Sequence, residues 1–189
     1  MARNNCYLSA DRTKAGDEVY TPFYAVEPLL EFLPKDKKIW CPFDEEWSAF
    51  YQLLSENGYD VVISNLKEGK DFFKYEPDDW DILVSNPPFS MKDRVLKRAF
   101  EFRKPFALLL PVNSIQGKAR YEIFNNQIQM LGFDTRIDYH TRQNMQNYRK
   151  GNHFGSAYFC RELLPTKLEL RHLEKYERPL IIPRKEETL

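Results

Sequence analysis

The stretch Trp80-Asp81-Ile82-Leu83-Val84-Ser85-Asn86-Pro87-Pro88-Phe89 decides how this chain reads. Its first six residues are a mostly apolar run, the pattern of a parallel strand covered on both faces. The next residues stop the strand, because Pro87 and Pro88 have fixed φ and no N–H for a ladder. In open α/β sheets the ligand crevice lies beyond the carboxyl ends of the strands. An amide, two stiff peptide units and an aromatic ring are therefore expected where a ligand would sit. Asn86 and the Pro87 carbonyl offer acceptors, and Phe89 offers a flat face. This set suits a planar amino group on an aromatic ring. An Asn-Pro pair is equally an ordinary turn former.

Outward from this stretch, helices and strands alternate. Thr21-Pro22 opens a helix, with Thr21 as cap and Pro22 in the first turn. Val26, Leu29, Leu30 and Leu33 continue it at helical spacing. Pro28 predicts a kink or two short turns, since an interior proline costs about 3 kcal/mol. Strands are expected from Lys38 to Cys41 and from Tyr59 to Ser64, around a helix with Phe50, Leu53 and Leu54 that Gly58 stops. After the prolines, Val95, Leu96, Ala99 and Phe100 mark a helix, and Phe106 to Leu110 a strand. Residues 118–130 read as helix, and Gly132 to Tyr139, Ser156 to Arg161 and Lys167 to Arg171 as strands. The alternation predicts an α/β fold with a mostly parallel sheet. The late strands, without a long helix between them, predict an antiparallel C-terminal end.

At 189 residues the chain reads as one domain, 1–189, with 1–19 as a flexible arm. Lys plus Arg number 28, as do Asp plus Glu, so the net charge is zero. Proteins that grip duplex nucleic acid unaided are usually basic. The balance points to a local basic patch, a small substrate or a helping partner. No apolar run reaches the ~18 residues of a membrane span. The amino-terminal stretch lacks the apolar core of a secretory signal. Three scattered cysteines, Cys6, Cys41 and Cys160, with three His, indicate neither a disulfide framework nor a metal site. A reducing cytoplasmic location is expected.

Ser85-Asn86-Pro87-Pro88-Phe89-Ser90 resembles the catalytic motif of S-adenosylmethionine-dependent amino-methyltransferases, above all the N6-adenine DNA methyltransferases. The resemblance implies a Rossmann-like methyltransferase fold and catalytic roles for Asn86, Pro87, Pro88 and Phe89. It extends to three further segments. Tyr20-Thr21-Pro22 is similar to the motif that contacts the methionine part of the cofactor. Pro42-Phe43-Asp44 stands where the first strand meets the cofactor loop. That loop is usually glycine-rich in the family, whereas here it continues Glu45-Glu46-Trp47. Gly69-Lys70-Asp71-Phe72 is similar to the segment in which Asp takes the cofactor's adenine amino group and Phe packs on its ring. Asn65, at the end of the second strand, is the candidate for the ribose hydroxyls. The chain looks closest to small phage-type adenine methyltransferases, and the resemblance covers roughly residues 18–165.

For nucleic acid, the expected contact is a substrate loop at 139–156. It interleaves Arg142, Arg149, Lys150 and His153 with aromatic and amide side chains and holds no acidic residue. DNA is expected over RNA, and a protein partner for target recognition is expected because no separate recognition domain fits this length. Two other readings remain open on sequence. One is a module of the same fold that binds nucleic acid or a host protein without catalysis. The other is RNA adenine or protein glutamine methylation at the same tetrad.

Overall fold

The computed structural model describes residues 19–140 and 154–181. Seven strands form one sheet in the order β2-β1-β3-β4-β6-β5-β7. They are β1 (Ile39–Cys41), β2 (Val61–Ile63), β3 (Ile82–Ser85), β4 (Phe106–Pro111), β5 (Gln129–Phe133), β6 (Ser156–Arg161) and β7 (Leu168–Arg171). β2, β1, β3 and β4 run parallel, as do β5 and β7, and β6 alone runs against its neighbours. The sheet is α/β and mostly parallel, as the alternating pattern requires. The antiparallel pairing expected at the C-terminal end is that of β6 with β4 and β5, while β7 pairs parallel with β5 because β6 lies between β4 and β5.

β1 and β3 are buried along their whole length, and their side chains alternate between two apolar layers. Ile39, Cys41, Ile82 and Val84 join a core with α1 (Phe23–Val26) and α2 (Ala49–Glu56). Trp40 and Leu83 join the opposite core with α3 (Lys92–Glu101) and α4 (Lys118–Phe124). Trp40 is the centre of that second layer. Its ring lies 5.5 Å from Phe72, 5.0 Å from Trp80 and 5.6 Å from Phe102. Its indole N–H donates to Ser64 Oγ at 2.9 Å, which satisfies two buried polar groups together.

The helix after Thr21 divides at Pro28 into two short turns, as expected: four α-helical residues, then from Glu27 a 3-10 helix containing Pro28. Other local expectations change. Pro22, not Thr21, holds its N-cap position, and the Thr21 hydroxyl is buried without a hydrogen-bond partner. The helix expected over 118–130 ends at Phe124, because Asn125 and Asn126 adopt left-handed φ of 39° and 58°. Asparagine tolerates that region better than most residues. The following strand therefore starts at Gln129, three residues ahead of the expected Gly132.

Candidate active site

β1 is followed by β2 on one side and paired with β3 on the other, so the strand order reverses between β1 and β3. A crevice opens at such a switch point, outside the carboxyl ends of the strands. Here it holds a cavity of ≈ 390 Å³ bordered by the loops that leave β1, β2 and β3. That volume lies within the range of about 300–1,000 Å³ of small-molecule sites.

The cavity brings together most of the residues singled out in the sequence. Asn86, Pro87 and Pro88 line it from the end of β3. Pro42, Phe43 and Asp44 line it from β1, and Asn65, Asp71 and Phe72 from beyond β2. Tyr20 and Thr21 close it from the chain ahead of α1. Two residues stand outside the lining. Pro22 is buried at the N-cap of α1. Phe89 packs edge-on against Tyr139 at 6.1 Å and Phe154 at 5.6 Å, two residues within the 139–156 stretch expected as the substrate loop. Arg142, Arg149, Lys150 and His153 lie outside the described residues.

The Asn86 amide is oriented by the main chain. Its Nδ2 donates to the Val19 carbonyl at 3.3 Å, while its Oδ1 is buried with no hydrogen-bond partner. The Val19 segment is itself held, because Tyr20 and His140 exchange two backbone hydrogen bonds of 2.9 Å. A buried acceptor without a donor costs free energy unless a ligand supplies one. Thr21 Oγ1, also in the lining, is in the same state.

Asp44 is the charged centre of the cavity. It is 8% exposed, and Ser85 Oγ donates to its Oδ2 at 2.6 Å. Burial pushes its pKa up to about 6, against the opposing effect of hydrogen bonds from Ser85 and Ser48. The carboxylate is therefore still largely ionised at neutral pH. The lysines of the lining are occupied at the rim: Lys67 pairs with Glu45, and Lys70 with Glu68 at 3.0 Å.

Asn65 serves the protein more than an open site. Its Oδ1 accepts from Glu68 N, and its Nδ2 donates to Glu68 Oε1 and more distantly to the Asp44 carbonyl. Asp71 Oδ1 accepts from Phe73 N at 3.0 Å, a turn that presents Phe72 to the cavity. Phe72 and Phe43 meet at 4.9 Å and make an aromatic wall.

The loop from Pro42 to Ser48 has no glycine and requires none. Among the described residues the left-handed φ values fall elsewhere, at Gly58, Gly69, Gly117, Arg103, Asn125, Asn126 and Glu162. Ser48 N instead closes a turn on the Glu45 carbonyl at 2.9 Å and then caps α2 by accepting from Tyr51 N.

Sequence reasoning missed several lining residues, notably Trp47, Met91 and Leu180. Trp47 carried a signal, a lone large ring in an acidic loop; it meets Tyr20 edge-on at 5.0 Å. Leu180 carried none, since it is remote in sequence from every other lining residue. Among the described residues no cluster of His, Cys, Asp or Glu could hold a metal, and no helix is long and apolar enough to cross a membrane.

No protein-family model matches the chain, and no curated protein does. Among solved structures, a Listeria monocytogenes protein provisionally assigned as a class I S-adenosylmethionine-dependent methyltransferase aligns with 82% of this chain at 13% identity and a TM-score of 0.46. The alignment takes in 65% of that protein, so this chain spans slightly less than two thirds of its length. Likeness at that level carries no weight for function, and the fold stands on the strand order itself.

Proposed function

We propose that this chain is an S-adenosylmethionine-dependent methyltransferase acting on the exocyclic N6 amine of adenine in DNA. The observation that carries the reading is Asn86: its amide is pinned by the Val19 carbonyl, and its Oδ1 is left as a buried, unpartnered acceptor at the carboxyl end of β3. The resemblance of residues 85–90 to amino-methyltransferase tetrads supplies the substrate class, and the switch-point cavity supplies room for a cofactor.

The cavity fits that cofactor chemically. Phe43 and Phe72 give a ring-lined end for an adenine, Thr21 Oγ1 an unused polar contact, and Asp44 a carboxylate suited to a cation. When bound, S-adenosylmethionine would supply an electrophilic methyl on a sulfonium. The chain's part is positioning and charge. Asn86 Oδ1 accepts a proton of the substrate amine and holds the nitrogen in line for attack. The Pro87 carbonyl is the natural second acceptor. Holding two reactants in an attack geometry is a large part of what such a site contributes. Fixed dipoles that need no reorganisation add to it. Phe89 stands beside Tyr139 and Phe154, an aromatic group beside the tetrad against which an unstacked base can pack.

A non-catalytic module of the same fold would be favoured if the glycine-free loop blocked the cavity. That loop leaves the cavity open, so the catalytic reading is preferred. The test is transfer of labelled methyl to DNA, with digestion to identify N6-methyladenine, and with RNA and protein acceptors in parallel. Asn86→Ala is expected to lower turnover by at least about 100-fold, by analogy with loss of one preorganised polar group at a reacting centre, with the fold intact by circular dichroism. Undiminished transfer by Asn86→Ala would remove the assigned site, and labelling of RNA or protein instead would replace the substrate.

A further inference from the structure

The segment 172–181 leaves β7 without forming helix or strand and returns across the face of α1 and α2. Side chains tack it down along the way. Asp134 receives Leu173 N at 3.0 Å, and Lys175 Nζ reaches Asp138 at 2.7 Å. Tyr176 OH donates to Glu27. Arg178 makes a two-pronged pair with Glu56 on α2, at 2.9 and 2.5 Å, and lies 3.8 Å from the centre of the Phe23 ring. Near the end of the segment Leu180 is 5% exposed and lines the cavity, as do Tyr20, Trp47 and Phe50.

We infer that 172–181 is a strap whose Leu180 forms the last wall of the cofactor cavity, and that strap docking and cofactor binding are coupled. This rests on the cofactor reading above. The strap is a wall rather than a plug, because the cavity keeps its ≈ 390 Å³ with Leu180 in place. Besides buried Leu173 and Leu180, its fastenings include the ion pairs of Lys175 and Arg178, and partly exposed pairs of this kind are individually weak and reversible. A ligand in contact with Leu180 is held more tightly when the strap is docked. Reciprocity then requires the ligand to hold the strap. Glu56 and Arg178 lie outside the cavity, so neither touches a ligand there, and their pair acts on binding through the strap and through α2, which lends Ala49 and Phe50 to the lining.

The experiment is a calorimetric titration of the full chain with S-adenosylmethionine, alongside amide hydrogen exchange across 172–181. Leu180→Ala, Arg178→Ala and Glu56→Ala are each expected to weaken binding about 5- to 20-fold, within the usual range of coupling between sites. The exchanged pair, Glu56→Arg with Arg178→Glu, is expected to recover much of the loss, and added ligand to slow exchange in 172–181 in the wild type. Thermal melts of every variant separate these effects from misfolding. A wild type that binds, with Kd unchanged in Arg178→Ala and Glu56→Ala and exchange in the strap indifferent to ligand, overturns the coupling alone. A wild type that takes up no S-adenosylmethionine overturns the cofactor reading and the coupling with it.

Discussion

Ser85 Oγ donates a 2.6 Å hydrogen bond to Asp44 Oδ2, joining the last residue of β3 to the loop that leaves β1. One contact thus ties the strand that presents Asn86 to the acidic wall of the cavity. It also keeps a carboxylate charged where burial works against charge, and two consequences of that conflict are measurable.

The first concerns stability. The Asp44 pKa is raised from 3.8 to about 6, so the folded state binds this proton more tightly than the unfolded chain. At about 1.4 kcal/mol per unit, the resulting cost is roughly 3 kcal/mol. It is absent below pH 3.8, grows as pH rises towards 6 and is fully present above that. Asp44→Asn removes it and retains an acceptor for Ser85. Urea unfolding at pH 8 should show the variant more stable by up to roughly 3 kcal/mol, an advantage that shrinks on approach to pH 4.

The second concerns binding. A cationic cofactor favours ionised Asp44, so affinity should fall as pH drops through 6. Calorimetric titration with S-adenosylmethionine is expected to show Kd rising about tenfold between pH 7 and pH 5, the slope of a single titrating group. Asp44→Asn should bind weakly at both pH values and lose the dependence.

Thr21 offers a test that separates site from scaffold. Its hydroxyl is buried and unpartnered in the cavity lining. Thr21→Val keeps the shape and deletes the hydroxyl. Stability should hold or rise slightly, because no internal hydrogen bond is lost. Cofactor affinity should fall about 3- to 10-fold, the worth of one ordinary hydrogen bond. A variant that binds as well as the wild type would exclude Thr21 from the contact.

Trp40 tests the layer beneath the cavity. Trp40→Phe deletes the indole N–H that meets Ser64 Oγ at 2.9 Å and opens space beside Phe72, itself a wall of the site. Loss of packing and a stranded hydroxyl together should cost about 2–4 kcal/mol in chemical denaturation. Ser64→Ala added to Trp40→Phe should return about 1 kcal/mol, since no buried hydroxyl is then left unpaired.

Much of the architecture was legible because it rests on local apolar runs. Ile82 to Ser85 and Phe106 to Leu110 are short apolar runs bounded by turn residues and read as strands buried on both faces, and the prolines after Ser85 and at Pro111 mark where each run stops. The helix after Phe106–Pro111 was misjudged because Asn125 and Asn126 look like ordinary polar helix surface until their left-handed backbone is seen. Which of the late strands runs against the others had no local signal, because strand polarity depends on the neighbour a strand finds: β6 reverses between β4 and β5, and β7 follows β5.

For the site, the sequence by itself determined which chemical groups stand at the strand ends: the acceptors of Asn86 and Pro87, the carboxylate of Asp44, the ring of Phe43. Residue type and strand polarity suffice for that, since a parallel strand delivers its next residues to one edge of the sheet. Only the tertiary structure decided their states. The Val19 carbonyl, remote in sequence, turns the Asn86 amide so that Oδ1 stays free. Burial among β1, β3 and α2 raises Asp44. Leu180 reaches the cavity from the far side of the chain. Each depends on groups distant in sequence meeting at a few ångströms, where desolvation and hydrogen-bond geometry are fixed by packing and have no local signature.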